Sequence, residues 1–264
     1  MTYEDAVLTL CERVRTEPWS DCMGSVNGSS VTPRVAVVTG SNRGLGLAIG
    51  RALARTGDHV VVVTGRSEQD AQSAAARLRL DTEVMAHTLD VTDPASVCQL
   101  FADVERNYGR LDALVNNAGI AIDWHLRATT IDMETARATL ETNLFGAWRC
   151  AQAAIALMRV HDYGRIVNVT SCLGSLERME ADCPAYRISK AALNALTRIL
   201  AAETEDENIK VNAASPGSGV DTRMTRGTPA LSADQAADSL LWLTCCPPDG
   251  PTGGFFLGRE QLPW

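Results

Sequence analysis

Val35-Ala36-Val37-Val38-Thr39-Gly40-Ser41-Asn42-Arg43-Gly44-Leu45-Gly46 is the stretch on which the fold turns. It opens as a short apolar run, becomes glycine-rich, and is expected to continue as a helix to about Thr56. In such a strand–turn–helix unit, glycine lets the backbone turn tightly and approach a pyrophosphate. The first helical turn then offers free N–H groups and partial positive charge. Gly40, Ser41, Asn42, Arg43, Gly44, Leu45 and Gly46 are therefore candidate dinucleotide contacts. A second strand follows closely: Val60–Thr64 is an uninterrupted β-branched run, as expected of a strand buried on both faces.

The alternation continues along the chain. Further strands are predicted at 83–88, 113–116, 165–170, 209–214 and 254–257, with helices at about 68–80, 94–108, 133–160, 184–204 and 232–244. Strand and helix in turn imply the α/β class: one doubly wound Rossmann-type domain, its central parallel sheet flanked by helices. Residues 34–264 make up this domain. Residues 1–33 read as an N-terminal extension, with a short amphipathic helix at 4–15 and a flexible Ser/Gly/Asn-rich linker at 20–33.

Bulk properties exclude several classes. The net charge of −8, with no basic block, argues against nucleic acid or an anionic membrane surface as partner. No apolar run reaches the roughly 18–20 residues of a membrane span, and the first residues lack a signal-peptide pattern, so a cytoplasmic protein is expected. The eight cysteines form no CxxC and have no histidines at zinc spacing; they read as reduced thiols, with no metal site. Cys172 and Cys183 flank the candidate site described next.

Tyr186 and Lys190 lie four residues apart in a predicted helix, with Ser171 fifteen residues upstream at the end of a predicted strand. Only two of the 24 basic residues are lysine, so an ammonium one turn after one of four tyrosines stands out. Positions i and i+4 share a helix face, and a nearby cation is expected to lower the phenol pKa, which suits a general acid/base. Arginine is bulkier and presents a planar fork in place of a point charge.

Taken in order, Thr39-Gly40-Ser41-Asn42-Arg43-Gly44-Leu45-Gly46, Asp90-Val91, Asn116-Asn117-Ala118-Gly119, Asn143, Ser171, Tyr186-x-x-x-Lys190 and Pro216-Gly217 resemble the short-chain dehydrogenase/reductase family over roughly residues 34–258. The C-terminal stretch from Asp249 to Phe256 looks like its carbonyl-reductase-like members. The resemblance implies that Tyr186 gives a proton to a carbonyl oxygen that Ser171 positions, while Lys190 tunes Tyr186 and binds the nicotinamide ribose. It implies that Asn143 holds a water in a relay to Lys190. Asp90 and Val91 would contact adenine, and Asn117, Ala118 and Gly119 would line the adenosine ribose. A helix-capping turn before Pro94 is the competing reading of Asp90, one that Asp93 also fits. Pro216, Gly217, Val220 and Thr222 would hold the carboxamide end of the cofactor, although Pro216–Thr222 is one residue longer than usual, an excess that Gly219 absorbs as a bulge.

The spacing from Ser171 to Tyr186 is about two residues longer than common in the family but lacks the long insertion of its monomeric members, so a homodimer or homotetramer is expected. An NAD-preferring member would carry an acid where this chain has Gly65, followed by Arg66. Arg66 with Arg43 suits a 2′-phosphate, so the expected cofactor is NADP(H). Ile120, Leu173, Cys183 and Met224 are candidate substrate-pocket residues, and the segment at about 223–232 is short for a helical lid, leaving room for bulky ketones. The leading expectation is an NADPH-dependent ketoreductase acting on a small-molecule carbonyl, in the manner of specialised metabolism. Alcohol oxidation or redox-neutral epimerisation on the same scaffold is the alternative. A non-catalytic cofactor sensor is disfavoured, because it has no need of a tuned phenol.

Overall fold

The computed structural model describes residues 33–79, 82–217, 219–224 and 231–264. The amphipathic helix expected at 4–15 lies outside the described residues, as do all of the 20–33 linker except Pro33 and most of the 223–232 segment.

Strands β1 (Arg34–Val38), β2 (His59–Gly65), β3 (Val84–Thr88), β4 (Ala113–Asn116), β5 (Gly164–Val169), β6 (Ile209–Ser215), β7 (Phe255–Leu257) and β8 (Glu260–Gln261) form one sheet in the order β3-β2-β1-β4-β5-β6-β7-β8. The pairs from β3 to β7 are parallel, with Val35 opposite Val60 and Val115 opposite Val167. β8 departs from the expected all-parallel pattern: it turns back on β7 in an antiparallel pair, Phe256 opposite Gln261. Its two polar residues are too short a run to announce a strand in sequence.

Side chains alternate across a strand, and here both sides are buried. Val35, Val37, Val60 and Val62 enter a core with α3 (Pro94–Tyr108), α5 (Ala147–Val160) and α6 (Pro184–Glu203). Ala36, Val38, Val61 and Val63 enter a second core with α1 (Gly44–Arg55), α2 (Glu68–Leu78) and α7 (Ala233–Leu241). Among the described residues no helix is long and apolar enough to cross a membrane.

The helix expected at 133–160 is interrupted. α4 (Met133–Leu140) passes into a π turn, Glu141–Gly146, before α5 begins. The wider turn carries Asn143. π turns of this kind often sit at functional sites.

His59 opens β2 with 3% exposure; Nδ1 lies 3.1 Å from the Thr56 hydroxyl and Nε2 has no partner. Burial, aided by Arg34, lowers its pKa below the ordinary 6.5. The native protein thus refuses a proton that the unfolded chain accepts. The stability held above about pH 6.5 should drain away as pH falls below that value toward the folded pKa. Thermal melting between pH 7.5 and about pH 5 is expected to show a steeper decline in the native protein than in His59→Leu. Parallel declines would rule out His59 as the titrating group.

Candidate active site

The glycine-rich loop folds as its composition requires. Gly40 and Gly44 adopt φ of +64° and +53°, a region open to glycine. A Cβ on Gly46 would collide with the Gly40 carbonyl and the Asn117 amide. Arg43, the N-cap of α1, is extended and gives no side-chain cap, so it leaves the first-turn amides to another partner. The loop is held from below. Ser41 is fully buried, its hydroxyl donating to Val38 O at 2.7 Å and accepting Thr64 N–H at 2.7 Å. It therefore shapes the turn and does not face the cavity, unlike its expected role as a contact. Asn117 donates to Thr39 O and Gly40 O, while Thr39 Oγ1 takes the amides of Asn117 and Ala118.

Above this loop, along the carboxyl ends of the strands, runs a cavity of about 1060 Å³. Its wall includes Gly40, Asn42, Arg43, Gly44, Leu45 and Gly46 from the loop, and Arg66 beyond β2. Asp90 and Val91 follow β3, and Asn117, Ala118, Gly119 and Ile120 follow β4. Ser171 and Leu173 follow β5, Tyr186 and Lys190 come from α6, and Pro216, Gly217, Val220, Thr222 and Met224 follow β6. Most of the residues singled out in the sequence thus line one continuous surface. β2 and β5 are separated by β1 and β4, three strand spacings or about 14 Å between the arginine end and the tyrosine end.

Asp93 caps α3 through Ala95 N–H, while Asp90 Oδ1 accepts the amide and hydroxyl of Thr92 in an Asx turn on the cavity wall. At Gly65 a Cβ would stand 2.9 Å from Asp70 Cβ and 3.0 Å from Ala71 N, so the place where an acid was sought is closed to any side chain. Asp70 itself lines the cavity. Gly217 and Gly219 have φ of +94° and +68°; Gly219 O accepts Leu231 N–H, and Val220 bridges to Leu231.

At the other end, the Ser171 hydroxyl stands near enough to the Tyr186 phenol to favour its charged form. Lys190 is buried on the same face of α6; its Nζ donates to Val169 O at 2.8 Å and lies 5.7 Å from the Tyr186 ring centroid. The electrostatics correct the sequence expectation. Burial pushes the Tyr186 phenol up to about 12, outweighing the effect of Ser171, and pulls Lys190 down to about 8. Desolvation penalises the charged form of both groups, so the neutral phenol is favoured in the protein alone.

Asn143 stands behind this pair. Its Oδ1 accepts Ile120 N–H at 2.8 Å, and Nδ2 donates to Ile120 O and the Ser189 hydroxyl, both at 2.9 Å. Both amide hydrogens are thus committed to protein groups. The side chain clamps the chain after β4.

Cys183 is 1% exposed at the N-cap of α6 and does not line the cavity, because a left-handed turn directs it inward. Cys172 does line it, donating to Ser215 Oγ. Trp124 escaped the sequence reading: it lies on the wall with its ring 5.9 Å from that of Tyr186. So did Gly174, where a Cβ would stand 2.7 Å from Lys190 Cβ; only glycine lets this turn press on α6 at Lys190. Neither has a local sequence signal, since both are defined by what folds against them.

Comparison with known proteins agrees with this geometry. Residues 34–231 match the family described as short chain dehydrogenase. The chain is 30% identical to (+)-neomenthol dehydrogenase of Capsicum annuum over 88% of its length and 98% of that protein. It is 32% identical to carbonyl reductase (NADPH) 3 of Mus musculus, over 87% and 97% of the two chains. The structure of salutaridine reductase from Papaver somniferum superposes with a TM-score of 0.74 at 28% identity, covering 84% of this chain and 99% of that one. With motif order, sheet topology and relatives in agreement, this oxidoreductase belongs to the short-chain dehydrogenase family.

Proposed function

We propose that this protein is an NADPH-dependent ketoreductase that reduces a bulky apolar ketone to an alcohol, with Tyr186 as the proton donor. The observation that carries the reading is the meeting of Ser171, Tyr186 and Lys190 at one end of a cavity whose other end carries Arg43 and Arg66. Bound there, the nicotinamide cofactor supplies the hydride. The Ser171 hydroxyl orients the substrate carbonyl, and the Tyr186 hydroxyl donates its proton to the oxygen as charge develops on it. A phenol raised to about 12 is fully protonated at neutral pH, the form that reduction requires. Lys190 holds positive charge beside it, and Asn143 keeps the Ile120 segment in place. Ile120, Trp124, Leu173 and Met224 give the substrate end an apolar wall. Relatives named for the reduction or oxidation of neomenthol and of carbonyl compounds support the same chemistry.

The loop amides and glycines would hold the pyrophosphate, Asp90 and Val91 the adenine, and Val220 and Thr222 the carboxamide end. Arg43 and Arg66, both exposed on the cavity rim, would hold a 2′-phosphate. Assembly as a homo-oligomer belongs to the same reading, supported by exposed Phe145, Trp148, Ile188 and Ile199 on the π turn, α5 and α6.

The direct test is nicotinamide absorbance during incubation of the protein with NADPH and a panel of bulky ketones. Consumption should be seen with at least one apolar cyclic ketone; none across the panel, with NADPH bound, would overturn the reading. In the double variant Arg43→Ala, Arg66→Ala, NADPH affinity should fall roughly 10- to 100-fold, the scale of one or two lost charge-assisted bonds, with NADH affinity nearly unchanged. Equal losses for both cofactors would remove the 2′-phosphate assignment.

A further inference from the structure

We propose that Asp123 is a positioning residue of the reaction centre: its carboxylate, fastened to the first amides of α6, fixes where Tyr186 enters the cavity and holds Trp124 beside it. The inference rests on the ketoreductase reading for what Tyr186 does there.

Asp123 is a fully buried carboxylate in the loop after β4. Oδ2 accepts the backbone N–H of Ala185 at 2.7 Å and that of Tyr186 itself at 3.2 Å. Cys183, the local N-cap of α6, supplies no side-chain cap, so the orphan amides of the first turn are met by a residue from a distant loop. Oδ1 has no protein partner. A buried carboxylate with one bare oxygen is costly, and the positive end of α6 is its compensation.

The bond is returned in the other direction. Asp182 Oδ1 accepts His125 N–H at 2.7 Å together with Cys183 N–H at 2.8 Å. The loop after β4 reaches α6 through Asp123, and the approach to α6 reaches the loop through Asp182. Among the described residues four non-glycine residues have positive φ, and three belong to this clasp: His125 at 67°, Asp182 at 87° and Cys183 at 38°. Such conformations persist where surrounding contacts over-determine them, and they gather at functional sites. The long Ser171–Tyr186 connection therefore ends in a strained, bonded turn. Trp124 directly follows Asp123 and precedes His125, which Asp182 holds, and its ring is tilted 33° against Tyr186.

The groups facing the phenol are Ser171 from the end of β5, Lys190 and Cys183 from α6, and Asp123 from the loop. Of these, Asp123 and Cys183 oppose phenolate formation. Removing the negative charge at 123 while keeping its acceptor should therefore make the phenol more acidic.

The test uses the full-length protein as Asp123→Ala and Asp123→Asn. Steady-state reduction of whichever ketone the panel identifies is combined with fluorine NMR of protein carrying fluorotyrosine, the Tyr186 resonance being assigned by its absence in Tyr186→Phe. Asp123→Ala is expected to lose at least about tenfold in kcat, with NADPH affinity nearly unchanged, and to broaden or shift the Tyr186 resonance while those of Tyr108 and Tyr163 stay in place. Asp123→Asn can still accept both amides, so it should recover most of kcat and titrate Tyr186 at lower pH than the native protein. A native-like kcat in Asp123→Ala would overturn the proposal, as would an unchanged Tyr186 resonance and titration in Asp123→Asn. If Asp123→Ala does not fold, the Asn titration alone decides. If the unaltered protein reduces no ketone, the ketoreductase reading fails on its own, and the fluorine spectra still report whether Asp123 governs Tyr186.

Discussion

Tyr186→Phe is expected to lower kcat for ketone reduction by a factor of about 10² to 10⁴, the usual worth of a positioned general acid. The substitution removes one oxygen and little else. The ring keeps its packing against Trp124 and its place on α6, so fold and melting temperature should barely change. The lost hydroxyl is the one beside Ser171 at the cavity wall. NADPH affinity, which the proposed reading assigns to the loop and the distant arginines, should stay within about twofold, which makes the effect one on kcat. The pH profile adds a second signature. With Lys190 drawn down to about 8 by burial, its charge is lost as pH rises through that region, and the rate of reduction should decline there while the phenol is still protonated. A Phe variant with kcat close to native would remove Tyr186 from the mechanism.

Arg165→Met is expected to cost about 3–5 kcal/mol of stability, lowering Tm by roughly 10 °C, with little change in kcat of the folded fraction. Arg165 is fully buried near the start of β5. Its guanidinium donates to Cys246 O at 2.6 Å, Gly164 O at 2.7 Å, Asn208 O at 2.9 Å and Asn208 Oδ1 at 3.3 Å. It also lies 4.2 Å from the centroid of the Tyr163 ring, with Arg34 4.9 Å from the same ring. No carboxylate takes part in these contacts; backbone carbonyls, a carboxamide and an aromatic ring satisfy a buried cation. A methionine fills the volume and leaves several acceptors bare. Arg165→Lys should recover only part of the loss, since one ammonium cannot span the fork. Melting curves decide the matter: a Met variant within about 1 kcal/mol of native would show that water replaces the guanidinium freely.

Arg165 also marks where the sequence stopped being readable. It is one of 22 arginines, and nothing in Tyr163-Gly164-Arg165-Ile166 separates it from the solvated ones. The strands were legible because burial on both faces leaves unbroken apolar runs, as in Val60–Val63. The glycine-rich loop was legible because its glycines answer a local backbone need, and Tyr186 with Lys190 because helical spacing alone puts them on one face. What escaped depends on contacts between distant segments. Nothing in Glu141-Thr142-Asn143-Leu144-Phe145-Gly146 separates a π turn from a weak stretch of α-helix, so the π turn was invisible. Asp123 and Asp182 look like loop polar residues until the fold brings them together. The phenol was expected to be acidified by its neighbouring ammonium, yet the depth of burial, which sequence does not give, sets the opposite direction.

The strand order has a consequence for how such a protein changes over time. Arg66 follows β2 and Ser171 follows β5, with β1 and β4 between them. Sites that far apart, sharing no partner, contribute to free energy almost independently. On the proposed reading, coenzyme preference and carbonyl chemistry are two separate modules on one sheet edge. Either can drift, or be redesigned, one at a time without first dismantling the other.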